Sequence, residues 1–74
     1  MAETIAFEIK EHIGRIGPIS DKGWSRQINK ISWNGGPVKW DIREFSSDKQ
    51  RMSRGITLTD AEMKRIIDLV KDRF

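Results

Sequence analysis

The sequence predicts an α+β domain in which four β-strands are followed by one C-terminal α-helix. Two observations carry this. Three segments of strand-forming or alternating residues, and a short fourth one, lie between breaks rich in glycine, proline, asparagine and charge. After residue 59 the apolar spacing turns helical, behind a capping signal. At 74 residues the chain makes a single domain, 1–74.

In the first segment, Ile5 to Ile16, Ile5, Phe7 and Ile9 share one face and Ala6, Glu8 and Lys10 the other. This is a half-buried strand, fraying or kinking near Gly14 before a turn through Ser20, Asp21, Lys22 and Gly23. The second segment, Trp24 to Trp33, loses its phase: each face receives one isoleucine and one tryptophan. Either a β-bulge near Asn29 and Lys30 turns Ile28 and Ile31 to the same side, or the strand is strongly bent. Asn34, Gly35, Gly36 and Pro37 then form a turn. The third segment, Val38 to Phe45, alternates cleanly, with Val38, Trp40 and Ile42 expected in the core beneath the helix and Lys39, Asp41, Arg43 and Phe45 facing away. A polar loop from Ser46 to Ser53 leads to a short strand at Gly55 to Leu58.

Thr59 followed three residues later by Glu62 is a capping box. From Asp60 to about Arg73, Met63, Ile66, Ile67, Val70 and Phe74 recur at helical spacing, broadened by Ala61 and Leu69. The stripe is wide enough to meet both a sheet and a second copy of itself. A chain this short buries only about 60% of its unfolded surface. It has no cysteine and one histidine, so a homodimer is the expected source of further burial. No apolar run approaches bilayer length and the N-terminus lacks signal-peptide character, which predicts a cytoplasmic protein, nucleoid-associated if bacterial. Beginning at Met1 with no tag or tail, it reads as a complete small protein.

Charge is concentrated centrally. From Lys22 to Arg54 eight basic residues face three acids, a net charge of +5, and all three tryptophans lie there. Cations neutralise phosphates while rings stack on bases that no partner strand covers, so this pattern points to single-stranded nucleic acid. The candidate contacts are Arg26, Lys30, Trp33, Lys39, Arg43, Phe45, Lys49, Arg51 and Arg54. Trp33, at a strand end beside a glycine turn, is the ring placed for stacking; Trp24 fits either face. No catalytic constellation is visible: His12 has no motif around it, and Asp41 and Glu44 point to opposite faces. An enzyme is not expected, nor a metal, a cofactor or a membrane partner.

The segments Asp41-Ile42-Arg43-Glu44-Phe45 and Arg54-Gly55-Ile56-Thr57-Leu58, separated by a polar loop and followed by a capped helix, resemble the transcriptional coactivator family called positive cofactor four. Lys22-Gly23-Trp24 and Ser32-Trp33-Asn34 look like its small bacterial, YdbC-like branch. The resemblance implies a curved four-stranded antiparallel sheet, dimerisation partly through the helices, and single-stranded DNA lying along the strands, contacted by Arg43, Arg54 and Trp33. Where eukaryotic members carry a tryptophan after this motif the chain has Ser46, so one stacking platform is missing or is supplied by Phe45 or Trp33. The expected function is largely sequence-independent binding of single-stranded DNA in transcription, replication or repair. RNA as ligand, or an acidic protein partner, are the alternatives the same charge pattern allows.

Overall fold

The computed structural model describes residues 6–74, so the expectation for Ile5 lies outside the described residues. Strands β1 (Phe7–Arg15), β2 (Ser25–Trp33), β3 (Val38–Phe45) and β4 (Met52–Leu58) precede helix α1 (Asp60–Val70) and a 3₁₀ turn at Lys71–Arg73. The strands form one antiparallel meander in the order β1-β2-β3-β4. The α+β architecture is as the sequence predicts. β3 has the expected bounds, whereas β4 starts at Met52, three residues ahead of Gly55, and shortens the preceding loop.

Local chemistry accounts for the joints. Asn34 and Gly35 both have positive φ, 52° and 73°, and the Gly36 N–H closes the turn on the Trp33 carbonyl at 2.8 Å. A turn whose two central residues both have positive φ needs residues that tolerate left-handed backbone, as asparagine and glycine do. At the other end of the chain the capping box is complete. Thr59 Oγ1 accepts the Glu62 N–H at 3.1 Å, and the Glu62 carboxylate accepts the Thr59 N–H at 2.9 Å.

The phase problem of β2 is resolved in its neighbour. β2 pairs with β3 without interruption from Ser25↔Phe45 to Ser32↔Val38, so it alternates strictly. The irregularities lie in β1, between Ile9 and Glu11 and between His12 and Gly14. Ile28 and Ile31 consequently point to opposite faces, so of the two alternatives the bulge in β2 that would turn both to one side is absent: Ile31 is fully buried and Ile28 only partly.

The same pairing shows that the sheet is rolled. Ser25 is the partner of Phe45 and Trp33 the partner of Phe7. On a flat sheet, at about 3.3 Å per residue, those two ends of β2 would be roughly 26 Å apart. Yet the Phe7 and Phe45 ring centroids are 6.3 Å apart. Opposite corners meet over one face, which is the inside of the roll; bulged strands bend and twist more strongly, and β1 carries two such irregularities.

The core therefore sits elsewhere than expected. Inside the roll, Ile31, Phe45, Asn29 and Asp41 are fully buried. Val38, Trp40 and Ile42 belong to the outer face, where Val38 and Ile56 are exposed and Trp40 and Ile42 half-buried. α1 covers only the Trp40 and Leu58 corner of this face: it packs on β3 and β4, with Leu58 and Met63 buried and Trp40 Nε1 donating to Asp60 Oδ1 at 2.7 Å. Ile66, Ile67, Leu69, Val70 and Phe74 are left exposed. The radius of gyration, 13.5 Å, exceeds the roughly 11 Å of a compact domain this size, in keeping with an open layer. Among the described residues no helix is long and apolar enough to cross a membrane.

Because both halves of the capping box are formed, Thr59→Ala should cost about 1 kcal/mol. A fall in the urea midpoint at unchanged slope, with loss of helical circular dichroism only on unfolding, is the expected reading.

Candidate nucleic-acid interface

Strand register sorts the charges between the two faces. Among the described residues paired in the sheet, the inner face carries Arg15, Lys39 and Arg43 against the single acid Asp41; the outer face carries Arg26 and Lys30 against Glu8, Glu11 and Glu44. The inner face is therefore the electropositive one, and it also holds Phe7, Trp33 and Phe45.

Its centre is a buried ion pair. Arg43 Nε donates to Asp41 Oδ2 at 2.6 Å and Nη2 to Oδ1 at 2.7 Å, with the Arg43 side chain 13% exposed and that of Asp41 fully buried. Thr57 of β4 adds its hydroxyl to Asp41 Oδ1 at 3.1 Å. Paired this way, the two-pronged guanidinium satisfies both carboxylate oxygens, which an isolated buried carboxylate would lack. The rest of the Arg43 side chain reaches along the roll until its guanidinium lies 4.6 Å from the centre of the Trp33 ring. Phe7 tilts against Trp33 at 5.6 Å, and the buried Trp33 Nε1 has no hydrogen-bond partner among the described residues.

Gly55 makes room for this arrangement. It is the register partner of Arg43, and a Cβ there would collide with Arg43 Cβ and with the Ile42 carbonyl oxygen. The Arg-Gly-Ile segment thus carries glycine because β4 passes directly against the base of the Arg43 side chain.

The loop between β3 and β4 is organised by Ser46. Its hydroxyl donates to Asp48 Oδ1 at 2.7 Å and accepts the Arg51 N–H at 3.1 Å, while its carbonyl accepts the Lys49 N–H at 2.9 Å. The Ser46 hydroxyl and the Gln50 N–H hold the Asp48 carboxyl below the usual carboxylate range. This stabilisation is present above the ordinary carboxylate pKa and is lost as pH falls through the lowered one. Lys49 takes a left-handed backbone, φ 60°, and Arg51 is exposed.

The nine residues singled out in the sequence do not form one surface within the chain. Trp33, Lys39, Arg43 and Phe45 are on the inner face, with Lys49 and Arg51 in the adjoining loop. Phe45, expected to face away from the core, is fully buried, because the roll makes its face the interior. Arg26 and Lys30 lie on the outer face: Arg26 is 3.6 Å from Glu44, and Lys30 Nζ is 4.9 Å from the Trp40 ring centre. Arg54 is exposed in β4 beside the register shift opposite Arg43 and Phe45. Gly55 and Thr57 had no site role in the sequence, and Ser46 entered there only as the position of a missing tryptophan. The signal for Gly55 and Thr57 was their register: a glycine and a threonine flanking an isoleucine across from Asp-Ile-Arg.

The family model for transcriptional coactivator p15 (PC4) matches residues 20–69, which spans β2 to α1 and includes Trp33, Asp41, Arg43 and Gly55. The chain belongs to the PC4 family. It is also 44% identical over 64 residues to an uncharacterised protein of Treponema pallidum (strain Nichols), covering 86% of this chain and 74% of that one. PC4 membership supports DNA binding and a coactivator-like function.

A methyl group at position 55 meets backbone as well as side chain, so Gly55→Ala should destabilise by about 3 kcal/mol. In denaturant unfolding it should rank well above Ile56→Ala, whose side chain is exposed in the single chain.

Proposed function

We propose that the chain is a homodimeric, largely sequence-independent single-stranded DNA-binding protein that acts as a transcription cofactor or in replication or repair. The observation that carries this reading is the Arg43–Trp33 stack on the electropositive inner face, which sets a cation and an aromatic ring side by side. A single strand presents the matching pair, a phosphate and an uncovered base. On binding, a base takes the guanidinium's place on Trp33 and the guanidinium turns to a phosphate, while Lys39, Lys49 and Arg51 neutralise neighbouring phosphates. Each stacked base contributes about 1–3 kcal/mol, and each neutralised phosphate adds to the salt dependence.

The outer face and helix supply the dimer. Val38, Ile56, Ile66, Ile67, Leu69, Val70 and Phe74 are exposed together in the single chain, and apolar surface of that kind is normally covered by a partner. A second copy packed there leaves both inner faces open. The Lys22-Gly23-Trp24 and Ser32-Trp33-Asn34 segments and the 44% identity to the treponemal protein support reading the chain as one of the bacterial branch, acting in the cytoplasm or at the nucleoid.

Fluorescence anisotropy of labelled oligo-dT should show binding that weakens steeply with salt. Arg43→Ala and Trp33→Ala should each lose about tenfold, near 1.4 kcal/mol, while Arg26→Ala, on the outer face, should stay within about twofold. Absence of binding at low salt, or equal binding by all three variants and the parent, would overturn the assignment; matched RNA and duplex competitors show which nucleic acid is preferred. Light scattering should give twice the chain mass.

A further inference from the structure

A second feature of the inner face lies away from the Arg43–Trp33 stack. Between the Arg15 end of β1, the start of β2 and the β3–β4 loop there is a cavity of about 230 Å³ lined in part by His12, Arg15, Ile19, Ser25, Gln27 and Lys49. Its wall is a directional chain of hydrogen bonds. His12 Nδ1 is 2.6 Å from Asn29 Oδ1, Asn29 Nδ2 donates to Gln27 Oε1 at 3.4 Å, and Gln27 Nε2 donates to Ser25 Oγ at 3.2 Å. Asn29 is fully buried and Gln27 and Ser25 nearly so, which fixes the direction of each amide. Asn29 Oδ1 can only accept, so His12 donates through Nδ1, and each acceptor down the chain is then used by its predecessor.

His12 keeps Nε2 as an acceptor, but what Gln27 and Ser25 have left over is donors. The second amide hydrogen of Gln27 and the hydroxyl hydrogen of Ser25 have no acceptor in this chain of bonds, and the Arg15 and Lys49 side chains can only donate. Ile19, exposed at the cavity, offers an apolar surface. Lys49, also on the lining, is held in left-handed backbone, a strain of about 1 kcal/mol or more that loops keep where a side chain must be aimed. Nearly buried donors left without acceptors discriminate sharply in favour of a ligand that presents oxygen.

We infer that this cavity is a base-edge subsite that takes a keto base, meaning thymine, uracil or guanine, on the Gln27 amide and Ser25 hydroxyl, with the adjoining phosphate on Arg15 and Lys49. It rests on the single-strand reading above and lays a base preference over otherwise sequence-independent binding. Thymine and cytosine separate the idea cleanly: the rings have the same size, but O4 of thymine accepts where N4 of cytosine donates.

The test is the affinity ratio of equal-length oligo-dT and oligo-dC, measured by anisotropy at one salt concentration. The parent should favour dT by about five- to tenfold. Gln27→Glu, which puts an acceptor where the amide donates, should bring the ratio to one or invert it, and Ser25→Ala should lower it. Because each ratio is taken within one protein, a change in stability does not mimic the result, and circular dichroism checks that each variant is folded. A parent ratio within twofold of one, with both oligonucleotides bound, overturns the subsite and leaves the single-strand reading standing; so does a ratio unchanged in both variants. Failure of the parent to bind either oligonucleotide overturns the single-strand reading itself.

Discussion

A carboxylate with no exposure to solvent has to be met by a positive group, and in this chain the demand is met by a residue two positions along the same strand. Asp41 and Arg43 share a face of β3, so their bidentate pair forms without any rearrangement of backbone. Much else follows. Thr57 reaches the same carboxylate from β4, and Gly55 leaves the gap through which the Arg43 side chain passes. The guanidinium, held on one edge, lies against Trp33 from the far end of β2, and that contact ties the two ends of the roll together. Removing the negative charge would strand a cation in the interior, a loss that commonly reaches about 3–5 kcal/mol when a buried pair is broken.

The interior built around this pair is unusual in composition. Asn29, Gln27, Ser25 and Asp41 are buried beside just two apolar side chains that are fully buried among the described residues, Ile31 and Phe45. Each of these side chains finds at least one partner, which is what makes their burial tolerable. The apolar residues that would fill a conventional core are instead spread over the outer face and α1. Such a chain gains limited hydrophobic stabilisation alone, and most of what it has in reserve is released only when the outer face is covered.

Much of the architecture is readable in the residues. β3 has clean alternation, Asn34-Gly35 has the residues its turn requires, and Thr59 with Glu62 announces the helix start. Alternation also sorted Lys39, Asp41, Arg43 and Phe45 onto one side. It could not tell which side is inside, because that depends on the roll, and the roll arises from irregularities in β1 that the pattern of β2 only hinted at. The rule that apolar residues mark the interior then misplaced Val38, Trp40 and Ile42, since their face is left open in a single chain. Among candidate contacts, Arg26 and Lys30 were chosen by charge alone, and charge carries no information about face. Gln27, Asn29 and His12 were invisible for the opposite reason: their role comes from being linked in space, and separately each is an ordinary polar residue.

The register shifts in β1 and β4 have one more effect. An open meander has two unpaired edges, and here these are the two strands with broken register. A regular edge is a template on which another sheet can grow, and interrupting its spacing removes that template. A chain that leaves a broad apolar face uncovered is especially exposed to this fate. The distortions that curl the sheet thus also work against open-ended stacking of strands.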